Sequence, residues 1–341
     1  MTTTASSPAI NPWKEPNTMT IEENTTEDLL ATGCLLDEKL KSAQIQIGEN
    51  EKLKEQCLHQ LREWISQNRD IEYIPIDDNF LIRFLRSKKY SLFLSQQMIL
   101  KYMNLRKKFS QYAPDMDFQK TEVDELINTG FIFASPFRDS EGRRVIIYNI
   151  GKFDLHKFTN VDFGRLFTIT YEAVMEDEET QLLGVNHVVD LSGMSAAFST
   201  LFTITEFTRI IIWGEQSYPM SHKQINMLNV PTALRYIYDY AVSMMSKKLM
   251  QRFIIHTSKS SLLENVDKHC LPQEMGGVMP MSEMIKLWKE ELKQKRNRLL
   301  SLEKIHLLSD QGIISRKNIA EHMNNAESQG ICGSFRKLEV D

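Results

Sequence analysis

KQINMLNVPTALRYIYDYAVSMMSKKLMQRFIIH, residues 223–256, reads as strand, helix, strand. Residues 223–228 and 252–256 are short runs of strand length. Between them Leu234, Ile237, Tyr238, Ala241, Met244 and Met245 recur at helical spacing, on a helix that begins at or just before Pro231. That apolar stripe runs directly into Lys247, Lys248 and Arg252. An ordinary surface helix needs only the stripe, packed on a core. A lid that meets a membrane needs the stripe and the charge together. Methionine serves both as a gap filler in cores and as an adaptable surface residue, so Met244 and Met245 are compatible with either role.

Upstream, the same alternation repeats. Residues 131–136 read as a short strand, Asp139 to Gly142 as a turn, and residues 144–150 as a nearly continuous apolar strand. A helix follows from about Asp162 to Met175. Residues 184–191 form the next strand, Ser192 and Gly193 a turn, and a further helix runs through Phe207 to Ile211. Strands alternating with helices predict an α/β sheet, at least partly parallel, with helices covering it.

Before Gly130 the texture is helical. Leu53, Cys57, Leu61, Trp64 and Ile65 mark one amphipathic helix. Asp77 or Asp78 can cap a second, with Phe80, Leu81, Phe84 and Leu85 inward and Arg83, Arg86, Lys88 and Lys89 concentrating positive charge. Ser91 or Ser95 opens a third, burying Met98, Ile99, Tyr102, Leu105 and Phe109. Residues 1–45, rich in Thr, Ser, Pro, Asn and Glu, are expected to be a mobile arm. The divisions expected are therefore the arm at 1–45, a helical domain at 46–125, the α/β domain at 126–280, and a C-terminal helix and tail at 281–341. In that last part Met284, Ile285, Trp288, Leu292 and Leu299 share one side of a helix. Its KQKRNR run at 293–298 is a solvated face or a contact for acidic lipid. Ser309 to Asp341 reads as loop, with Phe335 and Leu338 able to fold back on the domain.

The chain has 341 residues, 42% hydrophobic and 25% charged, enough for a full core, and a formal net charge of -4. That balance argues against bulk attraction to nucleic acid or to anionic membrane, so any anion site must be a local patch. Cys34, Cys57, Cys270 and Cys332 are scattered without a C-x-x-C pair, as expected of reduced thiols in a cytosolic protein. The first residues lack the layout of a secretion signal, and no apolar run has the length of a bilayer span.

Catalytic motifs are missing: the sequence has no G-x-S-x-G, no P-loop, no H-E-x-x-H and no G-x-G-x-x-G after a strand. His187, Asp190 and Ser192 lie close together, yet His187 and Asp190 point to opposite faces of a strand, so Asp190 and Ser192 are expected to fix the turn. His256 is expected to be a satisfied structural histidine, since no second ligand has metal spacing. The run Glu176-Asp177-Glu178-Glu179 reads as a solvated helix end. No cofactor or metal is expected, and an enzyme is the least favoured of three function classes.

Five blocks carry a resemblance: FLIRFLRSKKYS at 80–91, GRRVIIYNIGKFD at 142–154, VVDLSG at 188–193, QSYPMSHKQINMLNVP at 216–231 and CLPQEMGG at 270–277. In their order and spacing they resemble the CRAL-TRIO lipid-binding family over roughly residues 50–290. The similarity is greatest to the branch holding the α-tocopherol transfer protein, cellular retinaldehyde-binding protein and the clavesins; GSFRKLEVD at 333–341 resembles invertebrate members. Met275 stands where the family usually has Tyr, and Thr257 where Gly often follows the histidine.

The resemblance implies a helical N-terminal domain, then a mixed, largely parallel sheet flooring an apolar cavity closed by a gate helix from Pro231 to about Ser246. Matching cavity positions are Phe167, Thr168, Tyr171, Val185, Val189 and Ile225, with Leu234, Ile237, Tyr238, Ala241 and Met245 on the gate. Thr168 and Tyr171 are the candidate polar contacts. Phe167 and Tyr171 are bulky where the tocopherol carrier is small, which implies a reshaped pocket. The implied ligand is a hydrophobic small molecule such as a retinoid, tocopherol or similar isoprenoid. Arg86, Lys223, Lys248 and Arg252 match a basic cleft for phosphatidylinositol bisphosphate, a further basic position of which falls on Ser221 beside His222. The implied partner is a phosphoinositide-containing membrane surface, endosomal or other, visited transiently from the cytoplasm. The alternative is a phosphoinositide-binding trafficking adaptor without a tight cavity ligand.

Overall fold

The computed structural model describes residues 26–112, 115–232 and 235–314. The chain divides into two compact units, residues 1–38 and 39–341. The helical layer, the sheet and the C-terminal helix all fall within the second.

Helix α1, Thr26–Ile47, occupies part of what was expected to be an arm. It stops where Gly48 adopts φ 74°. There the Gly48 N–H donates to Ile45 O and the Glu49 N–H to Gln44 O, a double closure that needs a residue at ease in the left-handed region. Asn50 then caps α2, Glu51–Gln67, by accepting from the Leu53 N–H, and the expected stripe is buried at Cys57, Leu61 and Ile65 and partly buried at Leu53 and Trp64, with Leu58 joining it. After the short strand β1, Ile71–Tyr73, Asp77 caps α3, Asp78–Ser87. At the start of α4, Leu92–Lys108, Ser91 makes no side-chain cap; Ser95 instead donates to Ser91 O. Helix α5, Thr121–Asn128, completes the layer.

Two charge readings are corrected here. Arg83 and Arg86 lie on the inner side of α3 beside the apolar residues, and both are buried. Arg83 pairs with Glu172 at 3.1 Å, and Arg106 approaches the same carboxylate at 3.4 Å. The Tyr102 hydroxyl donates to Glu172 at 2.6 Å. Burial opposes charge on Arg83, but Glu172 and its neighbours outweigh it and hold the guanidinium above its usual pKa. A buried charge is tolerated when it is paired and hydrogen-bonded in this way, so these arginines join elements rather than face solvent.

The sheet has the order β2-β3-β4-β5-β6. Strands β2, Ile132–Arg138, and β3, Arg144–Asn149, are antiparallel about the expected turn. In that turn the Asp139 carboxylate accepts from the Glu141 and Arg143 N–H groups. Helix α6, Asn160–Met175, opens two residues earlier than its spacing indicated, because Thr159 and Asp162 form a reciprocal capping box. A short α7, Glu178–Leu183, leads into β4, Val185–Asp190, parallel to β3. Gly184 joins them at φ 86°, where an added Cβ would sit 2.4 Å from Ser221 O.

Helix α8, Ile204–Ser217, carries a second capping box, Thr203 with Glu206. Strand β5, His222–Leu228, then α9, Arg235–Met244, α10, Lys247–Met250, and β6, Phe253–His256, complete the strand, helix, strand segment quoted first, with β6 parallel to β5. The mixed, mostly parallel α/β sheet is thus the predicted fold class. After α11, Lys259–Leu263, the long α12, Met281–Ser301, buries Met284, Ile285, Trp288, Leu292 and Leu299. Strand β7, His306–Leu307, pairs antiparallel with β1.

Two surface readings are also revised. Within KQKRNR, Lys295 binds Glu291 and Ala173 O, Arg296 binds Asp117, and Arg298 binds Glu176 and Asp77. The carboxylate run is equally engaged: Asp177 and Glu179 hold Arg138, and Glu178 reaches Arg86 at 3.2 Å. Lys295, Arg296, Arg298 and the carboxylates thus tie elements together, whereas Lys293, Gln294 and Asn297 remain on a solvated face, Lys293 paired with Glu290 of its own helix. Phe335 and Leu338, with the 333–341 ending, lie outside the described residues.

Candidate functional site

A polar cleft of about 550 Å³ opens where α1, α3, the β2–β3 turn, β5 and α10 converge. Lys39, Arg86, Lys88, Lys89, Arg143, Lys223, Lys248 and Arg252 line it, against Glu141 and Glu215. All four residues assigned to a phosphoinositide cleft are therefore brought together. Their states differ, however. Arg86 is buried and gripped by Glu49, whose two carboxylate oxygens accept from Nε at 2.9 Å and Nη2 at 3.0 Å. Burial opposes charge on Glu49, but Arg86 outweighs it and holds the carboxyl below its usual pKa. The turn after α1 thus delivers an anionic group of the chain itself to this arginine.

Lys223 is half-buried, and burial lowers its pKa, with Arg143, Arg252 and Lys248 lowering it further. Burial also lowers the pKa of Arg252, against an opposing pull from Glu215. Like charges crowded at a partly desolvated wall repel one another, and an anion placed between them relieves that repulsion. Ser221 brings no charge to the wall, while Lys39 and Arg143 enter from α1 and the hairpin turn to supply positive charge. Neither was singled out from the sequence, because only the fold brings them beside Lys223 and Arg252.

The positions matched to a cavity divide into groups. Phe167 and Thr168 of α6 line an apolar recess of about 100 Å³ with Phe109, Tyr112, Phe202, Ile210 and Tyr218. The Thr168 hydroxyl donates to Gly164 O at 2.8 Å in its own helix, so its proton is committed there. Tyr171 is buried beneath Phe167, ring centroids 4.1 Å apart. Val185 and Val189 alternate with His187 on one face of β4, and the register sets Ile225 beside His187 and Tyr148 beside Val189. Tyr171 reaches that face, bonded to Tyr148. Val185 itself is fully buried in the core.

Leu234 lies outside the described residues, and so do the side chains of Ile237 and Tyr238, although α9 contains both positions. Ala241 is buried and Met245 half-buried. The gate is not one continuous helix into the basic cluster. Ser246 ends it, capping α10 through the Leu249 N–H and bonding Glu215 of α8 through its own N–H and hydroxyl. Lys248 therefore sits on a separately capped turn.

Sequence reading missed the polar chain under this face. The Tyr171 and Tyr148 hydroxyls are 3.2 Å apart, Tyr148 lies 3.0 Å from His187 Nδ1, and His187 Nε2 lies 2.8 Å from His222 Nδ1. Strand alternation places each residue on its face, but the register joining three strands is not written in any one of them. The expectations for the other groups are met: the Asp190 carboxylate accepts from the Ser192 N–H, and His256 is bonded to Asn226 and Ser261. Among the described residues no helix is long and apolar enough to cross a membrane, and no cluster of metal-binding side chains occurs.

Comparison with known proteins places this geometry. Residues 128–277 match the CRAL/TRIO domain family. Clavesin-2 of Rattus norvegicus and of Homo sapiens is 25% identical over 252 residues, covering 73% of this chain and 77% of the relative. Alpha-tocopherol transfer protein-like of Mus musculus is 24% identical over 246 residues, covering 72% and 71%. The crystal structure of Sfh5 aligns over 74% of this chain and 99% of its own, with 13% identity and a TM-score of 0.47. The sheet that carries Tyr148, His187 and Ile225, with β5 and α10 of the cleft wall, lies in the stretch 128–277 that matches the CRAL/TRIO domain, α1 and α3 of that wall lie before it, and the chain as a whole is similar to the clavesins along most of its length.

Proposed function

We propose that this protein binds a hydrophobic small lipid, of the retinoid, tocopherol or similar isoprenoid class, and transfers it between membranes. Its basic cleft docks it on phosphatidylinositol bisphosphate, in transient association with endosomal or other phosphoinositide-containing membranes. The observation that carries the docking half is the cleft wall, where Lys223 is crowded by Arg143, Lys248 and Arg252 with too little acid nearby to offset them. The CRAL/TRIO domain and a relative named for tocopherol transfer support the carrier half.

The physics of a carrier sets its requirements. A buried methylene contributes about 0.8 kcal/mol, but a lipid in a bilayer already has that gain, so extraction depends on shape and a polar contact. Release follows when the gate segment exchanges interior contacts for lipid contacts at the membrane. Each basic residue near an anionic surface contributes on the order of 1 kcal/mol. Reversing two of them, in Lys248→Glu with Arg252→Glu, is expected to weaken binding to bisphosphorylated phosphatidylinositol vesicles at least about thirtyfold, taking tenfold per 1.4 kcal/mol. Vesicle flotation with the same affinity as the parent protein would remove the cleft assignment.

A second reading rests on the interior. Phe163, Phe167, Tyr171 and Phe202 pack on one another, and the recess beside them is about 100 Å³, small against the roughly 300–1,000 Å³ of ordinary ligand sites. That packing favours a head-group-reading adaptor without a tight interior ligand.

A further inference from the structure

The cleft and the aromatic interior are joined by a continuous run of buried polar groups: Tyr171, Tyr148, His187 and His222. His222 lines the cleft, and its Nε2 has no partner among the described residues. Arg252 and Lys223 stand beside it. We propose that His222 is a further phosphate-binding residue of the cleft, and that the cleft's occupant sets the proton order of the whole chain back to Tyr171. This rests on the anion-binding reading of the cleft.

The geometry admits two uniform orders. Two ring nitrogens 2.8 Å apart share one proton when both imidazoles are neutral. In the first order His222 Nδ1–H donates to His187 Nε2, His187 Nδ1–H to Tyr148, and Tyr148 to Tyr171. His222 then turns a lone pair toward the cleft, and the Tyr171 proton is left for an acceptor in the interior. In the second order every donor is reversed: Tyr171 donates to Tyr148, Tyr148 to His187 Nδ1, His187 Nε2–H to His222 Nδ1, and His222 Nε2–H points into the cleft. Both orders hold the same protons. Conversion takes one proton from water at His222 Nε2 and returns one to water from the Tyr171 end, with no change in charge.

Electrostatics chooses between them. An empty cleft lined by Lys223 and Arg252 favours a lone pair, hence the first order. A phosphate oxygen needs a donor, hence the second. The protonated alternative, an imidazolium at His222, is opposed by burial and by Arg252, which together push its pKa down to about 4. Burial likewise lowers the pKa of His187 far below normal, with His222 adding to the effect. The exchange also changes Tyr171 from a donor toward the interior into a group that offers only lone pairs there, so a carbonyl ligand at that hydroxyl and a phosphate in the cleft oppose each other.

The test uses full-length protein with 15N-labelled histidine imidazoles, titrated with inositol 1,4,5-trisphosphate and with inorganic phosphate, alongside flotation on vesicles with and without phosphatidylinositol bisphosphate. Saturation with the trisphosphate is expected to move His187 and His222 together to neutral Nε2–H tautomers. Tyr148→Phe removes the Nδ1 partner of His187, so both rings are expected to show Nε2–H before any ligand is added, with vesicle affinity kept or raised. His222→Gln is expected to lose about tenfold in affinity, the worth of one hydrogen bond to a charged group. Trisphosphate binding with unchanged tautomers, or with His222 doubly protonated, overturns the proposal. Absence of both trisphosphate and vesicle binding overturns the cleft reading instead. The same tautomer change with inorganic phosphate, and no preference for the lipid, supports the chain while assigning the cleft to free phosphate.

Discussion

Glu49 is the residue on which the state of the cleft turns. Its carboxylate holds Arg86 through two hydrogen bonds, both partners buried, so Arg86 already has an anion before any lipid arrives. Removing one partner of a buried pair usually costs about 3–5 kcal/mol, and Arg86 keeps Glu178 and Gln181 as partial compensation. Glu49→Gln is therefore expected to lower stability by about 3 kcal/mol, measured by urea unfolding, and to raise affinity for bisphosphorylated vesicles severalfold. The buried histidines add a pH dependence. Burial lowers the pKa of His222 to about 4, below the ordinary 6.5, so the unfolded chain takes up its proton first as pH falls. The stability this contributes is complete above about pH 6.5 and is lost on the way to about pH 4. The thermal midpoint is expected to fall between pH 7 and pH 4.5, and to fall less in His222→Gln.

At the scale of elements, the strands and helices followed from local patterning, while their ends followed from caps. Thr159 with Asp162 starts α6 ahead of its apolar stripe, and the gate stops about where the resemblance placed its end, with Ser246 capping a separate turn after it. The inward side of α3 was legible from Phe80, Leu81, Phe84 and Leu85. The burial of Arg83 and Arg86 was not, because their partners Glu172 and Glu49 lie 89 and 37 residues away. Lys248 and Arg252 stood out behind the gate stripe and Arg86 among the basic residues of α3, but their grouping with Lys223 in one cleft came through family resemblance; Lys39, Arg143 and the Tyr148–His187–His222 chain depend on strand register and on the packing of residues distant in sequence. Ser246 links these features, since it caps α10 and ties it to Glu215 of α8. Ser246→Ala is expected to cost about 1 kcal/mol, a typical cap loss, and to weaken vesicle binding through Lys248 without altering net charge. Circular-dichroism melting and flotation of the same variant check the two effects separately.

For the whole molecule, a formal charge of -4 and a local positive cleft coexist because much of the other basic charge is paired, as Lys295, Arg296 and Arg298 are with Glu291, Asp117, Glu176 and Asp77. On the docking proposed above, attraction to an anionic surface would be focused on one face, where Ser246 and α10 line the cleft. A carrier with this arrangement would exchange its interior ligand where its cleft finds head groups. The central claim is that the interior holds a lipid, and it is tested most directly by purifying the protein from its own source cells and identifying co-purified lipids by mass spectrometry after organic extraction. A single isoprenoid-class lipid at close to one equivalent per chain is the result expected. Only traces of bulk phospholipid would contradict the carrier account and leave a head-group-reading adaptor.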